Sequence, residues 1–427
     1  MNRRLFIQTG VSLASTLALP GRGFGSESAS AVESAHAEIW RRFIDRHGVM
    51  VDFTALDGSV PLPTPEECRA GKPNALGWFQ PIENGAMFNG LYMDAAVNRW
   101  RHSMTREDGE KARRLMEGLL LLASVSEVKG FVARGVSTDG KSHFPMGSDD
   151  QTLPWFLGLW RYLESGLATR QERERITAKL VETAEVILKH GWELPAEEPF
   201  GHRGSFAEFR FDSATRLLFV CRMMYAITGG HKWDEVYHKA LAEKGGTDNL
   251  SRREICERGM VFWYSKNHNW TSSGSVGALR VLWELEQDEA TRAAFARGLK
   301  ASAELAAKSL SLAAEFNRNE SSAFDTDWRT PMMPLWKPQK TELEAQELAI
   351  LQLKAFTKIS PGRNGEAAFV REPTAAAWIV TLAPDPQTIR PHISAIERVL
   401  THYDYQRLYY STFFWIESAW WRLAAER

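Results

Sequence analysis

The sequence predicts an all-α domain closed into a ring of six helical hairpins, an (α/α)6 toroid, and three observations carry that expectation. Helical periodicity recurs from residue 31 almost to the C-terminal end, with hardly a segment showing the period-two alternation of a half-buried strand. Helices that are apolar nearly all round alternate with helices charged along one side. The apolar helices begin near residues 84, 150, 212 and 268, which are 66, 62 and 56 residues apart, intervals too long and uneven for a short tandem repeat. In a ring of antiparallel hairpins an inner helix touches neighbours on every side, while its outer partner is wetted on one face. An α-solenoid is the competing architecture, and it calls for a detectable repeat that the sequence lacks.

Residues 31–46 read as an amphipathic helix, followed by a loop rich in Pro and Gly over 57–81. Residues 84–101 (NGAMFNGLYMDAAVNRWR) form the first buried helix. Residues 105–124 form its outer partner: Thr105 is the N-cap, acids fill the first turn, and Lys111, Arg113, Arg114 and Glu117 face water. The contrast repeats at 153–163 with 170–189, 211–227 with 233–244, and 270–285 with 288–310. After the longest non-helical stretch, 316–340, helices follow at 342–356, 374–382, 389–402 and 409–424, about twelve or thirteen in all.

The 427 residues are 44% hydrophobic, ample for one large core, and no apolar run is long enough to span a bilayer in the mature protein. Lys plus Arg number 52 against 53 Asp plus Glu, so no whole-chain electrostatic case exists for nucleic acid or an anionic membrane. Cys68, Cys221 and Cys256 stand far apart without a CxxC pair, giving no zinc site and at most one disulfide; Cys221 lies inside an apolar helix as a core residue. Asp325 and Asp327 alternate in the long loop, which is less than a calcium loop requires, and the expectation is no metal and no cofactor. The sixteen Trp either fill a helical core or offer flat faces to sugar rings.

The N-terminus reads as an address. Arg3 and Arg4 form a twin-arginine pattern, a mildly apolar stretch over 11–19 is too short to span a bilayer, and Ala29, Ser30 and Ala31 supply small residues for cleavage. The expected organisation is a signal peptide over 1–31 and a single toroidal domain over 32–427, exported to the periplasm or beyond.

Chemistry is expected where the buried helices start. Glu83 and Asn84 open the first, Asp149 and Asp150 precede the second, Asp212 opens the third, and Asn267, His268, Asn269 and Trp270 open the fourth. If the inner helices run parallel, these ends converge on one mouth, with helix dipoles and free N–H groups around a single cavity. Asp, Asn and Ser are also ordinary N-caps, and capping is the plain reading of Asp212-Ser213. Glu83 is a poor cap set among apolar Ile82, Ala86 and Met87, a setting that raises a carboxyl pKa as a general acid requires. Asp149 and Asp150 are adjacent and point apart, so one of them faces the cleft. Arg203 sits in the Gly-flanked loop 201–205 and has the fork geometry to hold a uronate carboxylate. Trp328 in the long loop and Tyr405 in the tyrosine cluster before the last helix complete the expected binding residues.

Two segments, ENGAMFNGLY at 83–92 and YAITGG at 225–230, resemble helix-start and helix-end segments of the six-hairpin carbohydrate-active enzymes, which include unsaturated glucuronyl hydrolases and several polysaccharide lyases. KNHNW at 266–270 is similar to the Asn-Asn-His-Ser-Tyr-Trp motif of toroid alginate lyases, where Asn and His neutralise the uronate carboxylate and move a proton. Asn267 and His268 match that motif, Lys266 replaces its first Asn, and the intervening Tyr is missing. The resemblance implies an oligo- or polysaccharide substrate and two chemistries. Hydrolysis would draw its acid pair from Glu83, Asp149, Asp150 and Asp212. β-Elimination would use Asn267 and Arg203 on the carboxylate, with His268 and Tyr405 moving protons. A third expectation is a non-catalytic periplasmic carbohydrate-binding or scaffold protein. Hydrolysis is favoured because acids at helix starts outnumber the matched lyase positions.

Overall fold

The computed structural model describes residues 26–263, 266–317 and 324–425; the twin-arginine pattern and its apolar stretch lie outside the described residues. Among the described residues, thirteen longer helices organise the fold. In order they are α1 (Ser26–Glu38), α2 (Gly85–Ser103), α3 (Arg106–Leu122), α4 (Asp149–Glu164), α5 (Arg170–Lys189), α6 (Phe211–Thr228) and α7 (His231–Ala242). The second half adds α8 (Trp270–Leu285), α9 (Glu289–Ala307), α10 (Glu342–Ile359), α11 (Glu372–Thr381), α12 (Ile393–His402) and α13 (Trp415–Ala425). Among the described residues, strand is confined to two short antiparallel pairs, Glu193–Pro195 with His202–Ser205 and Lys244–Gly245 with Leu250–Ser251.

Six helices, α2, α4, α6, α8, α11 and α13, each pack on the next, and α13 packs back on α2, which closes the ring. Their outer partners are α3, α5, α7, α9 and α12, and α1 lies against α13 and α12 to complete the sixth hairpin from the other end of the chain. The fold is therefore an (α/α)6 toroid. Its inner helices are apolar all round because they are enclosed all round: the first thirteen residues of α2 are buried without a break, as is every residue of α11. The outer helices keep their charged faces, and their starts are fixed by side-chain caps, Thr105 on α3 and a Thr169–Glu172 capping box on α5. Two inner helices meet backbone to backbone. A Cβ at Gly90 of α2 would stand 2.0 Å from the Pro154 carbonyl oxygen of α4, and one at Gly158 of α4 would stand 2.6 Å from the Gly90 Cα.

Polar contacts fix the direction of the inner helices. Along α2, Asn84 meets Gln151 before α4 has advanced, and Asp94 meets Arg161 nearly three turns later. Along α13 the order is Phe88 with Phe414, Tyr92 with Glu417, and Asp94 with Arg422. Asp212 faces Ser272 at the starts of α6 and α8, and Arg222 faces Glu286 at their ends. Glu372 at the start of α11 accepts from the Asn269 backbone at the start of α8. The six N-terminal ends thus share one mouth.

The opposite half of the ring is closed by buried charge. Asp94 accepts from Arg422 at 2.6 and 2.8 Å and from the Trp378 indole at 3.1 Å, with Arg161 at 3.6 Å. Arg161 and Arg280 each reach Glu284 at 2.8 Å. Burial opposes the charge on Glu284, but Arg161, Arg280 and Arg422 outweigh it and hold that carboxyl at about 2.

The helix predicted over 342–356 forms but stands outside the ring. α10 lies over the mouth instead, held by Gln352 to Asn74 at 2.9 Å and by Glu342 to Arg203 at 3.1 Å, and it leaves Leu343, Ile350 and Leu351 exposed. The three cysteines are buried and unbridged. Trp155, Trp233, Trp328, Trp378 and Trp415 are among the largest fully buried side chains, so much of the tryptophan is core. Among the described residues no helix is long and apolar enough to cross a membrane.

Candidate active site

At the mouth lies a cavity of about 240 Å³ whose lining includes Asp52, Phe79, Glu83, Trp270, Arg363, Arg371 and Tyr410. Asp52 is sewn in by its backbone, its N–H to the Pro81 carbonyl and its carbonyl to the Ser411 N–H, each at 2.8 Å. Its carboxylate accepts both the backbone N–H and the side-chain amide of Asn84, at 2.8 and 2.6 Å. Asn84 in turn accepts from Gln151 at 3.0 Å, so one amide links Asp52 to the starts of α2 and α4. The neighbouring Glu83 accepts the Phe79 N–H at 2.6 Å, and its own carbonyl takes a hydrogen bond from the buried Arg134 at 3.0 Å. Phe79 has φ of 68°, a left-handed conformation costly for a bulky residue, and the turn it makes aims its N–H at Glu83.

The electrostatics of the pair follow from this enclosure. Burial pushes Asp52 well above the usual carboxylate range, the charge of Glu83 pushes it further, and the Asn84 donors with Arg363 pull back only in part. Burial also raises Glu83 against the pull of the Phe79 N–H, Arg134 and Arg363, with Asp150 adding to the rise. Two raised carboxyls that repel one another titrate as a unit, and the pair keeps a proton where isolated acids would have lost theirs. Behind them Glu366 accepts the N–H groups of Tyr409 and Tyr410, and burial raises it to about 7.

The structure sorts the residues expected from sequence. Glu83, Asn84 and Trp270 line this cavity, and Arg371 stacks on the Trp270 ring at 4.5 Å. Asp149 and Asp150 do point apart. Asp149 pairs with Arg216, and with Arg210 at 3.5 Å; burial opposes its charge, but these guanidiniums and Arg203 hold it below the usual range. Asp150 turns to Ser148 and to Arg134, 3.7 Å away, on the Glu83 side. The carboxylate of Asp212 makes no bond to its own helix start. It accepts from the Trp263 indole at 2.9 Å and from Ser272 at 3.4 Å, apart from the cavity lining.

Asn267 and His268 line an adjoining cavity of about 310 Å³ that shares Arg371 with the first. Both imidazole nitrogens are engaged, by Trp270 at 3.0 Å and Thr271 at 2.9 Å, and burial, then Arg371, lower His268 to about 4. Asn269 is buried at the start of α8, bonded to Glu372 and Ser309.

Three expectations are corrected. Arg203 is not a free carboxylate fork: it is buried between the Gly147 carbonyl at 2.7 Å and Glu342 of α10. Trp328 is fully buried with its indole N–H on the Pro61 carbonyl at 2.7 Å, because it packs inward with Met332 against Phe53 and Phe356. Tyr405 is also core: its hydroxyl donates to the Leu400 carbonyl and its ring packs on Phe413, and Tyr410, five residues on, reaches the cavity instead.

Sequence reasoning placed a tyrosine of the 403–410 cluster at the mouth but took Tyr405 for it rather than Tyr410, and it missed Asp52, Arg363 and Arg371. Only Asp52 left a signal, an acid inside the apolar run Val49-Met50-Val51-Asp52-Phe53. A larger cavity of about 570 Å³ lies around Cys68, His143 and Glu197. Its Glu197 is already bonded to Ser126 at 2.6 Å and His143 at 3.1 Å, which with burial opposing leave it below its ordinary value, so it offers no raised acid pair.

Fold and site together define a six-hairpin toroid with two mutually repelling, buried carboxyls at its N-terminal mouth. No protein-family profile matches the chain, and no curated protein matches it. Among solved structures it is similar to the glycoside hydrolase family 76 (mannosidase) Bt3792 from Bacteroides thetaiotaomicron VPI-5482, at 11% identity over 94% of this chain and 100% of that one, with a TM-score of 0.42. The toroid is read from the helix contacts of this chain itself.

Proposed function

We propose that this protein is a carbohydrate-active hydrolase that cleaves a glycosidic bond of an oligo- or polysaccharide between Asp52 and Glu83. The observation that carries the reading is the pair of raised, mutually repelling carboxyls facing one enclosed cavity beside an aromatic wall. The protonated member gives its proton to the glycosidic oxygen as the C–O bond breaks. The ionised member takes a proton from the attacking water, or attacks the anomeric carbon itself. Trp270 and Tyr410 supply stacking faces for the sugar ring.

The elimination reading draws less support. His268 has both nitrogens engaged, Asn267 lies in the adjoining cavity, and Arg203 is committed to Glu342. The test is digestion of a panel of neutral and uronate-containing saccharides, followed for reducing ends and for ultraviolet absorbance of an unsaturated uronate. Reducing ends without absorbance support hydrolysis. Absorbance from saturated substrates supports elimination and overturns it, and silence in both channels favours a binding or scaffold protein.

We also propose export through the twin-arginine route, with the mature chain starting near residue 32. Of the buried residues of α1, Val32, Ala35, His36 and Glu38 follow that point and Ser28 precedes it, so most of the helix's anchors are kept. Cell fractionation with intact-mass measurement, on the parent and on Arg3→Lys with Arg4→Lys, tests this. A parent that stays cytoplasmic at full length overturns it.

A further inference from the structure

Eight arginines are buried among the described residues, and seven of them have a carboxylate within 4 Å: Arg42 with Glu38, Arg134 with Asp150, Arg161 with Glu164, Arg203 with Glu342, Arg216 with Asp149, Arg222 with Glu286 and Arg252 with Glu243. The eighth is Arg363. It is 5% exposed, lines the cavity that holds Asp52 and Glu83, and its buried Nη1 has no hydrogen-bond partner. Aromatic rings take the place of an acid. The guanidinium carbon lies 4.1 Å from the Phe356 ring centre, 4.4 Å from Phe53, 4.9 Å from Tyr410 and 5.1 Å from Phe324.

A guanidinium stays charged at any pH the protein meets, and rings satisfy its face but none of its N–H groups. An arginine serving only to balance Asp52 and Glu83 would pair with one of them directly, as the other seven pair with their acids. Arg363 is held short of both, within electrostatic reach but outside ion-pair distance, so its donors remain for a group the protein does not supply.

We propose that Arg363 is the receptor for an anionic substituent, a carboxylate or a sulfate ester, on the sugar bound between Asp52 and Glu83; as a statement about substrate this rests on the hydrolase reading. The cage excludes water from the guanidinium and fixes its plane, which strengthens a charge-assisted hydrogen bond to an incoming oxyanion. A neutral sugar in the same place leaves the N–H groups unmet, and this sets the preference for acidic sugars.

The test is equilibrium binding to the full-length protein, read by tryptophan fluorescence and calorimetry, with glucuronate, glucose 6-sulfate and glucose as probes at fixed ionic strength. At least one anion should bind about tenfold or more tighter than glucose, and Arg363→Gln should erase that margin. Glucuronate alone names the carboxylate as the source, and glucose 6-sulfate alone names the sulfate. Glucose binding as tightly as both anions overturns the proposal, and so does a margin that survives Arg363→Gln. If Arg363→Gln does not fold, Arg363→Lys, which keeps the charge but loses the fork, should cut the margin, and an unchanged margin overturns the proposal equally. The hydrolase reading fails separately. Selective anion binding without turnover of any glycoside removes the hydrolase and leaves the site, whereas turnover of glycosides with no anion preference does the reverse.

Discussion

The carboxylate of Asp52 takes both the backbone and the side-chain N–H of Asn84, at 2.8 and 2.6 Å, so a residue from the first loop fastens the start of the first inner helix. The same carboxylate faces the cavity, where Glu83 opposes its ionisation. Position and protonation at the mouth are therefore held by one side chain. Asp52→Asn is expected to lower kcat by about 10²–10⁴-fold, and because its single amide oxygen can accept from only one of the two Asn84 donors it should also lose part of the stability that Asp52→Ala loses. Asp52→Ala also strands two buried donors of Asn84 and should cost about 1–3 kcal/mol in urea unfolding. Near-parental turnover by Asp52→Asn would remove Asp52 from the chemistry.

Glu83→Gln separates charge from packing. A glutamine still offers an oxygen to the Phe79 N–H, so the left-handed turn at Phe79 should persist and thermal stability should change little. Turnover is expected to fall by about 10²–10⁴-fold, and the pH profile of any remaining activity should lose one limb. A variant with unchanged kcat and a collapsed Tm would make Glu83 a structural residue.

Glu366 gives a signed pH dependence of stability. Its carboxyl is raised by burial from an ordinary value of 4.5 to about 7, so between those values the native protein keeps a proton that the unfolded chain has released. Stability is then fully present below about pH 4.5 and is lost as pH rises toward 7, by about 3 kcal/mol across the window. Glu366→Gln should flatten this part of the curve, read as urea midpoints from pH 4.5 to 7.5. A parent that gains stability relative to the variant over that range would contradict the assignment.

The far half of the ring should respond differently from the mouth. Asp94 is buried against Arg422, Arg161 and the Trp378 indole. Removing it as Asp94→Ala leaves Arg422 and the Trp378 indole without their acceptor, while Arg161 keeps Glu284, and should cost about 3–5 kcal/mol. KM on any substrate found should be unchanged below the melting transition. A change in KM without a loss of stability would place Asp94 in contact with substrate.

The sequence by itself determined the ring. Apolarity on every face of the helices at 84, 150 and 212 has one physical outlet, enclosure by neighbours, and the polar residues before them mark the end that stays accessible. Boundaries shifted where local signals were silent: α11 is continuous with the helical segments Gly362–Glu366 and Ala367–Arg371, and α1 starts earlier and ends in the π-turn Ile39–Phe43. Glu83, Asn84 and Trp270 were legible because their places follow from helix starts. Asp52 and Arg363 come from segments far apart in sequence and meet only when the ring closes and its mouth is covered, so no spacing within the chain could report them. The same closure took Arg203, Trp328 and Tyr405 away from the substrate, because an arginine beside Glu342, an indole over Phe53 and a tyrosine on Phe413 are worth more buried than exposed. Periodicity states which faces must be hidden; only the packed ring decides which polar groups are left facing the space that remains.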